Sequence, residues 1–308
     1  MKILLTGGAG FIGSHVAEKY LELGHEVVII DNLSTGNMRN IPAAARFYEM
    51  DIRSPKLVAV MNKERPQIVN HHAAQISVPY SVSEPQFDVD VNVTGFINLL
   101  QSCVKTDVKK VIFISSGGAV YGEAEEYPTS ERYSPQPLSP YAINKYVSEK
   151  YLYYYHHQFG LPYTILRYAN VYGPRQIPHG EAGVVAIFIT NFIDARQSVL
   201  YAYQEEPEGM IRDYVYVKDV VTANVLVLDR GEMEIYNVGT GIETSTGSLY
   251  QIIMALMHQD IAPIRKPARP GDLRKSCLDI TKIKGELNWQ PGYDLTSGIR
   301  ETIGFFSQ

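Results

Sequence analysis

The stretch Lys2-Ile3-Leu4-Leu5-Thr6-Gly7-Gly8-Ala9-Gly10-Phe11-Ile12-Gly13 decides the fold. A short apolar run, Lys2–Thr6, stops at a glycine-rich turn. An apolar-periodic segment over 11–23 follows and ends at Gly24, a C-terminal cap. The reading is strand, tight turn, helix. Glycine lets the backbone turn sharply and approach a pyrophosphate, whose charge is favoured at a helix N-terminus. Gly7, Gly10 and Gly13, with Phe11 and Ile12 between them, are therefore expected to seat a dinucleotide. A glycine triplet alone also serves as a plain connector. Here, however, a second apolar run, Glu26–Asp31, follows the helix and ends on an acid. Asp31 stands where a carboxylate accepts hydrogen bonds from an adenosine ribose and repels a 2′-phosphate, which favours NAD over NADP. Asp51, followed by Ile52, is placed to cap the adenine; turn capping stays open as its alternative.

Working outward, further strands are expected at 67–70, 110–115 and Tyr163–Tyr168, separated by helices such as 87–103 and 141–159. Strands alternating with helices predict an α/β fold, a Rossmann-like doubly wound parallel sheet. After about Arg175 the apolar segments shorten and are broken by Pro, Gly and charge clusters at 204–209 and 266–272. We expect an NAD-binding domain over 1–168, to which the chain returns around 213–242. A smaller C-terminal substrate-binding α/β domain is expected over 169–308, with the substrate held between the two.

The 308 residues are 45% hydrophobic and 20% charged, enough for a sizeable core and against disorder. A net charge of −5 argues against a broad basic face for nucleic acid and against polybasic membrane contact. No run of about 18 apolar residues is present to span a membrane. The first thirteen residues read as a buried strand and turn, not as a signal peptide. Cys103 and Cys277 read as reduced thiols of a cytoplasmic protein. His71-His72 and His156-His157 are adjacent pairs that point in different directions, and no further ligand cluster completes a set, so no metal is expected.

Tyr141 and Lys145 lie one helical turn apart and share a face. A phenol titrates near pH 10, too high for a base at neutrality, and a neighbouring cation lowers that value. The spacing alone equally suits an exposed pair. Its context is stronger: Ser115-Ser116 ends a strand just upstream, and ligands bind at the C-terminal ends of such strands.

These segments, together with Asp31-Asn-Leu-Ser-Thr-Gly36, Ser115-Ser-Gly-Gly-Ala-Val-Tyr-Gly122, Arg167-Tyr-Ala-Asn-Val-Tyr-Gly-Pro-Arg175, Arg212-Asp-Tyr-Val-Tyr-Val217 and Arg269-Pro-Gly-Asp272, resemble the extended short-chain dehydrogenase/reductase family. Within it they are most similar to the UDP-glucose (UDP-galactose) 4-epimerases, along essentially the whole chain. The resemblance implies an NAD-dependent 4-epimerase that works through a transient 4-keto sugar. Tyr141 would be the base, and Lys145 would lower its pKa and hold the nicotinamide ribose. The family's helper Ser or Thr falls on Gly117, so Ser116 is taken as its substitute. Related dehydratases carry an Asp-Glu pair at Gly118 and Ala119, and decarboxylases a glutamate; this chain has neither acid for elimination chemistry.

By the same resemblance, Asn32, Ser34, Thr35, Gly36, Ala73, Ala74, Gln75, Ser115 and Tyr168 would line the NAD site, while Asn92 fixes helix packing. Asn170 would contact the nucleotide sugar. Gly183, Val184 and Val185 would pack on uracil, with Tyr201 a further nucleobase-side candidate. Arg212 and Arg269 would clamp the diphosphate, with Asp272 beside them on the substrate side. Ser276 replaces a tyrosine that crowds the sugar's C2 substituent in some epimerases, implying room for an N-acetyl group. Tyr151 and Tyr153-Tyr154-Tyr155 are assigned to a homodimer interface, a role that core packing would mimic in sequence. Two rivals remain open at this point: a 4-epimerase of another UDP-sugar such as UDP-glucuronate or a pentose, and a non-catalytic NAD-binding regulatory protein.

Overall fold

Glu26–Asp31 reads Glu-Val-Val-Ile-Ile-Asp, and every residue after Glu26 is buried. Such uninterrupted burial belongs to a strand covered on both faces, as in a parallel sheet flanked by helices. A computed structural model, which describes residues 1–178, 183–269 and 272–308, places this strand in a seven-stranded sheet. The order across the sheet is Glu234–Val238, Tyr163–Tyr168, Lys110–Ser116, Ile68–His71, Lys2–Thr6, Glu26–Asp31, Arg46–Glu49. Lys2–Thr6 pairs in parallel with both Glu26–Asp31 and Ile68–His71. The chain winds outward in one direction from Lys2–Thr6 and then in the other, so the strand order reverses there. In a doubly wound sheet that crevice, beyond the carboxyl ends of Lys2–Thr6 and Ile68–His71, is where ligands bind. The fold is α/β and Rossmann-like.

The chain divides into two compact units. The first comprises residues 1–116, 139–167 and 221–236. Its core sets Leu4, Val28, Val69, Val111 and Ile165 of the strands against Phe96, Leu99, Leu100 and Leu152 of the helices. The helix expected over 87–103 runs unbroken from Pro85 to Lys105, with a π-helical turn at Asp90–Thr94 between Pro85–Val89 and Gly95–Lys105. Such turns recur at functional sites, and Asn92 lies in this one. His71 ends its strand stacked on Phe96 and Phe113 and hydrogen-bonded to Thr6 Oγ1 at 2.7 Å, and burial holds its imidazole neutral. Among the described residues no group of three or more His, Cys, Asp or Glu is placed to hold a metal ion. On Pro140–Phe159, Tyr155 is buried whereas Tyr153 and Tyr154 face solvent.

The second unit comprises residues 117–138, 168–220 and 237–308. Short strand pairs, Asn170–Tyr172 with Tyr214–Tyr216 and Val199–Ala202 with Ile264–Pro267, are packed with helices Val184–Ile193, Thr246–Leu256 and Leu295–Phe306. Asp213 is fully buried and accepts from the Thr240 and Gly241 amides, the Thr240 hydroxyl and the Leu278 amide. A carboxylate so saturated is a structural pin, and it fixes the backbone of its neighbour Arg212. Among the described residues no helix is long and apolar enough to cross a membrane.

Candidate active site

The glycine loop is shaped by backbone contact. Gly7 has φ +70°, and a Cβ there would stand 2.6 Å from the Ala73 nitrogen. A Cβ on Gly13 would strike the Gly7 carbonyl oxygen. Phe11–Glu22 then opens as a helix on Gly10, which offers no side-chain cap to its N-terminus. The first-turn amides of Phe11, Ile12 and Gly13 are suited to an anion. Asp31 is buried and its two oxygens accept the Ala9 amide at 3.0 Å and the Leu33 amide at 2.8 Å. Two acceptor positions remain on that carboxylate for a ribose diol. A Cβ on Gly36 would come within 2.8 Å of Asp31 Oδ1, so the strand end is closed over by a residue that must be small. Cradle, helix terminus and acid together fit a dinucleotide. Ser34 and Thr35 are exposed beside it, and Asn32 bonds Asp51 at 2.9 Å.

Asp51 is engaged as a turn residue. It accepts the Arg53 amide and binds the Arg53 guanidinium, which holds its carboxyl down at about 2. Ile52 is buried under Gly95. Gln75 is also fully committed within the protein. Its Nε2 donates to Asp88 and to the Ser77 carbonyl, its Oε1 accepts the Ser77 amide, and its backbone N–H and C=O both bond the Asn92 side chain. Gln75 thus shapes the segment carrying Ala73 and Ala74 through each of its polar groups.

Pro140–Phe159 starts cleanly: Ser139 accepts the Ala142 amide as N-cap, Pro140 takes the first position, and Gly160 closes the far end in the left-handed region. Tyr141 N–H donates to Ser81 Oγ at 3.2 Å. One turn on, Lys145 is buried and its Nζ donates to the Ile114 carbonyl at 2.9 Å, 5.1 Å from the centre of the Phe113 ring. Burial lowers the Lys145 pKa to about 8, against the opposing charges of Asp88 and Glu149. Burial pushes the Tyr141 phenol up to about 12; the neighbouring Ser116 hydroxyl lowers it and Asp88 raises it further. With these residues alone the phenol is protonated at neutrality, and Ser116 is the group easing its ionisation.

Behind this pair lies a lock that sequence reasoning missed. Ser115 Oγ donates to Glu149 Oε1 at 2.6 Å, and Arg167 grips Glu149 through Nε at 2.9 Å and Nη2 at 2.6 Å. Arg167 and Glu149 are 2% and 3% exposed. Ser115, assigned to the cofactor, also ties the Lys110–Ser116 strand to the helix carrying Tyr141 and Lys145. The one sequence signal was the position of Glu149, one turn beyond Lys145.

In the second unit the expected substrate residues form separate groups. Arg212 is largely desolvated, which lowers its pKa, and its guanidinium bonds the Ile211 and Leu273 carbonyls at 2.8 Å each. Arg269 pairs with Asp272 at 3.0 Å and lies 4.5 Å over the Tyr201 ring. Pro270 and Gly271 between them fall outside the described residues. Asn170 Oδ1 is buried and has no hydrogen-bond partner among the described residues. A Cβ built on Gly118 would stand 3.4 Å from it and 3.9 Å from Ser276 Oγ, so these three residues border one small space. An orphaned acceptor beside such a space is what a hydroxyl-bearing ligand would satisfy. Gly183, with φ +90°, caps Val184–Ile193, and Val185 turns into the core while Val184 is half-exposed. Tyr168 is buried.

The sequence profile of the NAD dependent epimerase/dehydratase family matches residues 3–239. The chain belongs to that family. It is 42% identical over 312 residues to the UDP-glucose 4-epimerase of Mycolicibacterium smegmatis, covering 99% of this chain and 98% of that protein. Among solved structures it is similar to the Thermotoga maritima UDP-glucose 4-epimerase with UDP-glucose (TM-score 0.97, 46% identity, 100% of this chain and 99% of that one). It is also similar to the Thermus thermophilus UDP-glucose 4-epimerase in complex with NAD (TM-score 0.95, 44% identity, 100% and 99%).

Proposed function

We propose that this protein is an NAD-dependent 4-epimerase of a UDP-sugar, interconverting UDP-glucose and UDP-galactose through a transient 4-keto sugar. The observation that carries the reading is Tyr141 and Lys145 on one helical face with Ser116 beside the phenol, in a chain bearing Gly118 and Ala119 where elimination would need an acid. Gly7–Gly13 would hold the pyrophosphate, Asp31 with Asn32 to Gly36 the adenosine ribose, and Ala73, Ala74, Ser115, Lys145 and Tyr168 the remainder of NAD. Bound NAD supplies the acceptor and donor of the two electrons exchanged at sugar C4. Tyr141 takes the proton from the C4 hydroxyl and gives it back, Ser116 hydrogen-bonds the same oxygen, and Lys145 stabilises the phenolate. Arg212 and Arg269 bind the diphosphate, a suitable task for guanidinium; Arg269 exchanges Asp272 for phosphate to do so. Asn170 bonds the sugar, and Gly183, Val184 and Tyr201 face the base.

Incubation of the enzyme with a panel of UDP-sugars, followed by NMR at C4, tests this. Inversion of UDP-galactose is expected; inversion of none, despite bound NAD, removes the reading. The small Ser276, with the space it borders, extends it to UDP-N-acetylhexosamines. Ser276→Tyr is expected to abolish turnover of the acetamido sugars and spare the plain hexoses, and equal loss on both classes would contradict this.

The same reading includes a cytoplasmic homodimer. Both cysteines are free and buried. Tyr80, Val82, Phe87, Val89, Ile143, Tyr153 and Tyr154 expose apolar surface on the helices Val78–Ser83, Pro85–Val89 and Pro140–Phe159. Clustered exposure of this kind marks interaction surfaces. Sedimentation equilibrium should return twice the 34.6 kDa chain mass; a monomer at micromolar concentration would rule the dimer out.

A further inference from the structure

Lys145 presents an electrostatic problem. Its ammonium is buried, has one carbonyl acceptor in Ile114, and loses most of its hydration. Such a group sheds its proton unless an anion compensates. Two carboxylates act on it, Asp88 and Glu149. Glu149 is already neutralised by the two-point grip of Arg167. Asp88 is different. It is fully buried, and each of its bonds comes from a neutral amide: Asn144 Nδ2 to Oδ1 at 2.6 Å, Gln75 Nε2 to Oδ2 at 2.6 Å, and Asn92 Nδ2 to Oδ2 at 3.1 Å. A side chain that only accepts is a carboxylate, and amides fix it without cancelling its charge. Asn144 immediately precedes Lys145 on the helix, while Asn92 comes from the π turn and also takes Ser148 Oγ on its backbone carbonyl.

We propose that Asp88, held by Gln75, Asn92 and Asn144, is the positioning residue that keeps Lys145 an ammonium and sets the pH range in which the Tyr141–Lys145 pair works. The role rests on the reading of that pair as the reacting groups. Charged and titratable groups bearing on Lys145 are Asp88 from Pro85–Val89, Glu149 from its own helix, and the neutral His71 at the end of Ile68–His71 with His72 after it; Tyr141 lies one turn back on the same helix. The anion favours the protonated form of both Tyr141 and Lys145. Removing it therefore moves both titrations to lower pH.

The test compares Asp88→Asn and Asp88→Ser, which remove the charge, with Asp88→Glu, which keeps it. Two readouts are followed: NMR titration of Lys145 Nζ in lysine-¹⁵N-labelled enzyme, and the pH profile of kcat. Both charge-removing variants should lower the Lys145 midpoint by about one pH unit and carry both limbs of the kcat profile the same way. Asp88→Glu should leave the midpoint near wild type even if kcat drops. An unmoved midpoint in either charge-removing variant overturns the proposal, as does an Asp88→Glu shift as large as that of Asp88→Asn. The nitrogen titration does not depend on turnover. A protein that inverts no sugar but shows the shift would count against the epimerase reading and for Asp88.

Discussion

With Tyr141 replaced by Phe, kcat falls by roughly 10²–10⁴-fold, while KM for the UDP-sugar and the NAD content stay near wild type. The substitution keeps the ring and removes one hydroxyl, so packing in the half-buried first turn of Pro140–Phe159 is retained. What is lost is the group proposed to move the C4 hydroxyl proton, an interaction made in the transition state more than in the ground state. Ser116 does not replace it, because an unassisted alcohol is a far weaker base than a phenolate. Steady-state kinetics on UDP-galactose decide the matter. Turnover within about tenfold of wild type would mean that proton transfer limits little or runs through another group.

Arg167→Ala should destabilise the fold by about 3–5 kcal/mol, the usual cost of stranding one member of a buried ion pair. The variant leaves Glu149, 3% exposed, with Ser115 as its remaining hydrogen-bond donor of those described above. Urea denaturation followed by circular dichroism would read the loss as a fall in midpoint. The cost comes from the orphaned charge more than from the pair's own worth. Hence Glu149→Leu combined with Arg167→Met should recover a large part of it, since well-packed apolar replacements of buried pairs are often neutral or better. A single-variant cost below about 1 kcal/mol would show that water reaches Glu149 and that the lock is loose.

What could be read in the chain before its fold was known followed local chemistry. The glycine turn, the apolar strand ending at Asp31 and the Tyr141–Lys145 spacing are each contained within a short segment, so their meaning survives without tertiary context. The edge strand Arg46–Glu49, Arg-Phe-Tyr-Glu, escaped notice because a half-exposed edge needs no apolar run. The π turn at Asp90–Thr94 leaves no trace in the apolar spacing, since it is accompanied by side-chain bonds of Asn92 to Gln75 and Asp88. Asp88, between Phe87 and Val89, carries no mark of burial in the sequence. Its burial depends on Gln75 and Asn144, which only the folded chain brings to it. The Glu149–Arg167 grip likewise joins a helix to a strand and leaves no periodic trace.

The interlocked glycines have a consequence for binding entropy. Between Gly7 and Gly13 the seat offered to a pyrophosphate is main chain, wedged in place by contacts that would forbid even one extra carbon at Gly7 or Gly13. A ligand settling there has no long side chains to freeze, and each immobilised rotamer-rich side chain would otherwise cost about 0.5–1.5 kcal/mol. The loop's rigidity is settled during folding, so a cofactor arriving later meets a surface already in its final shape.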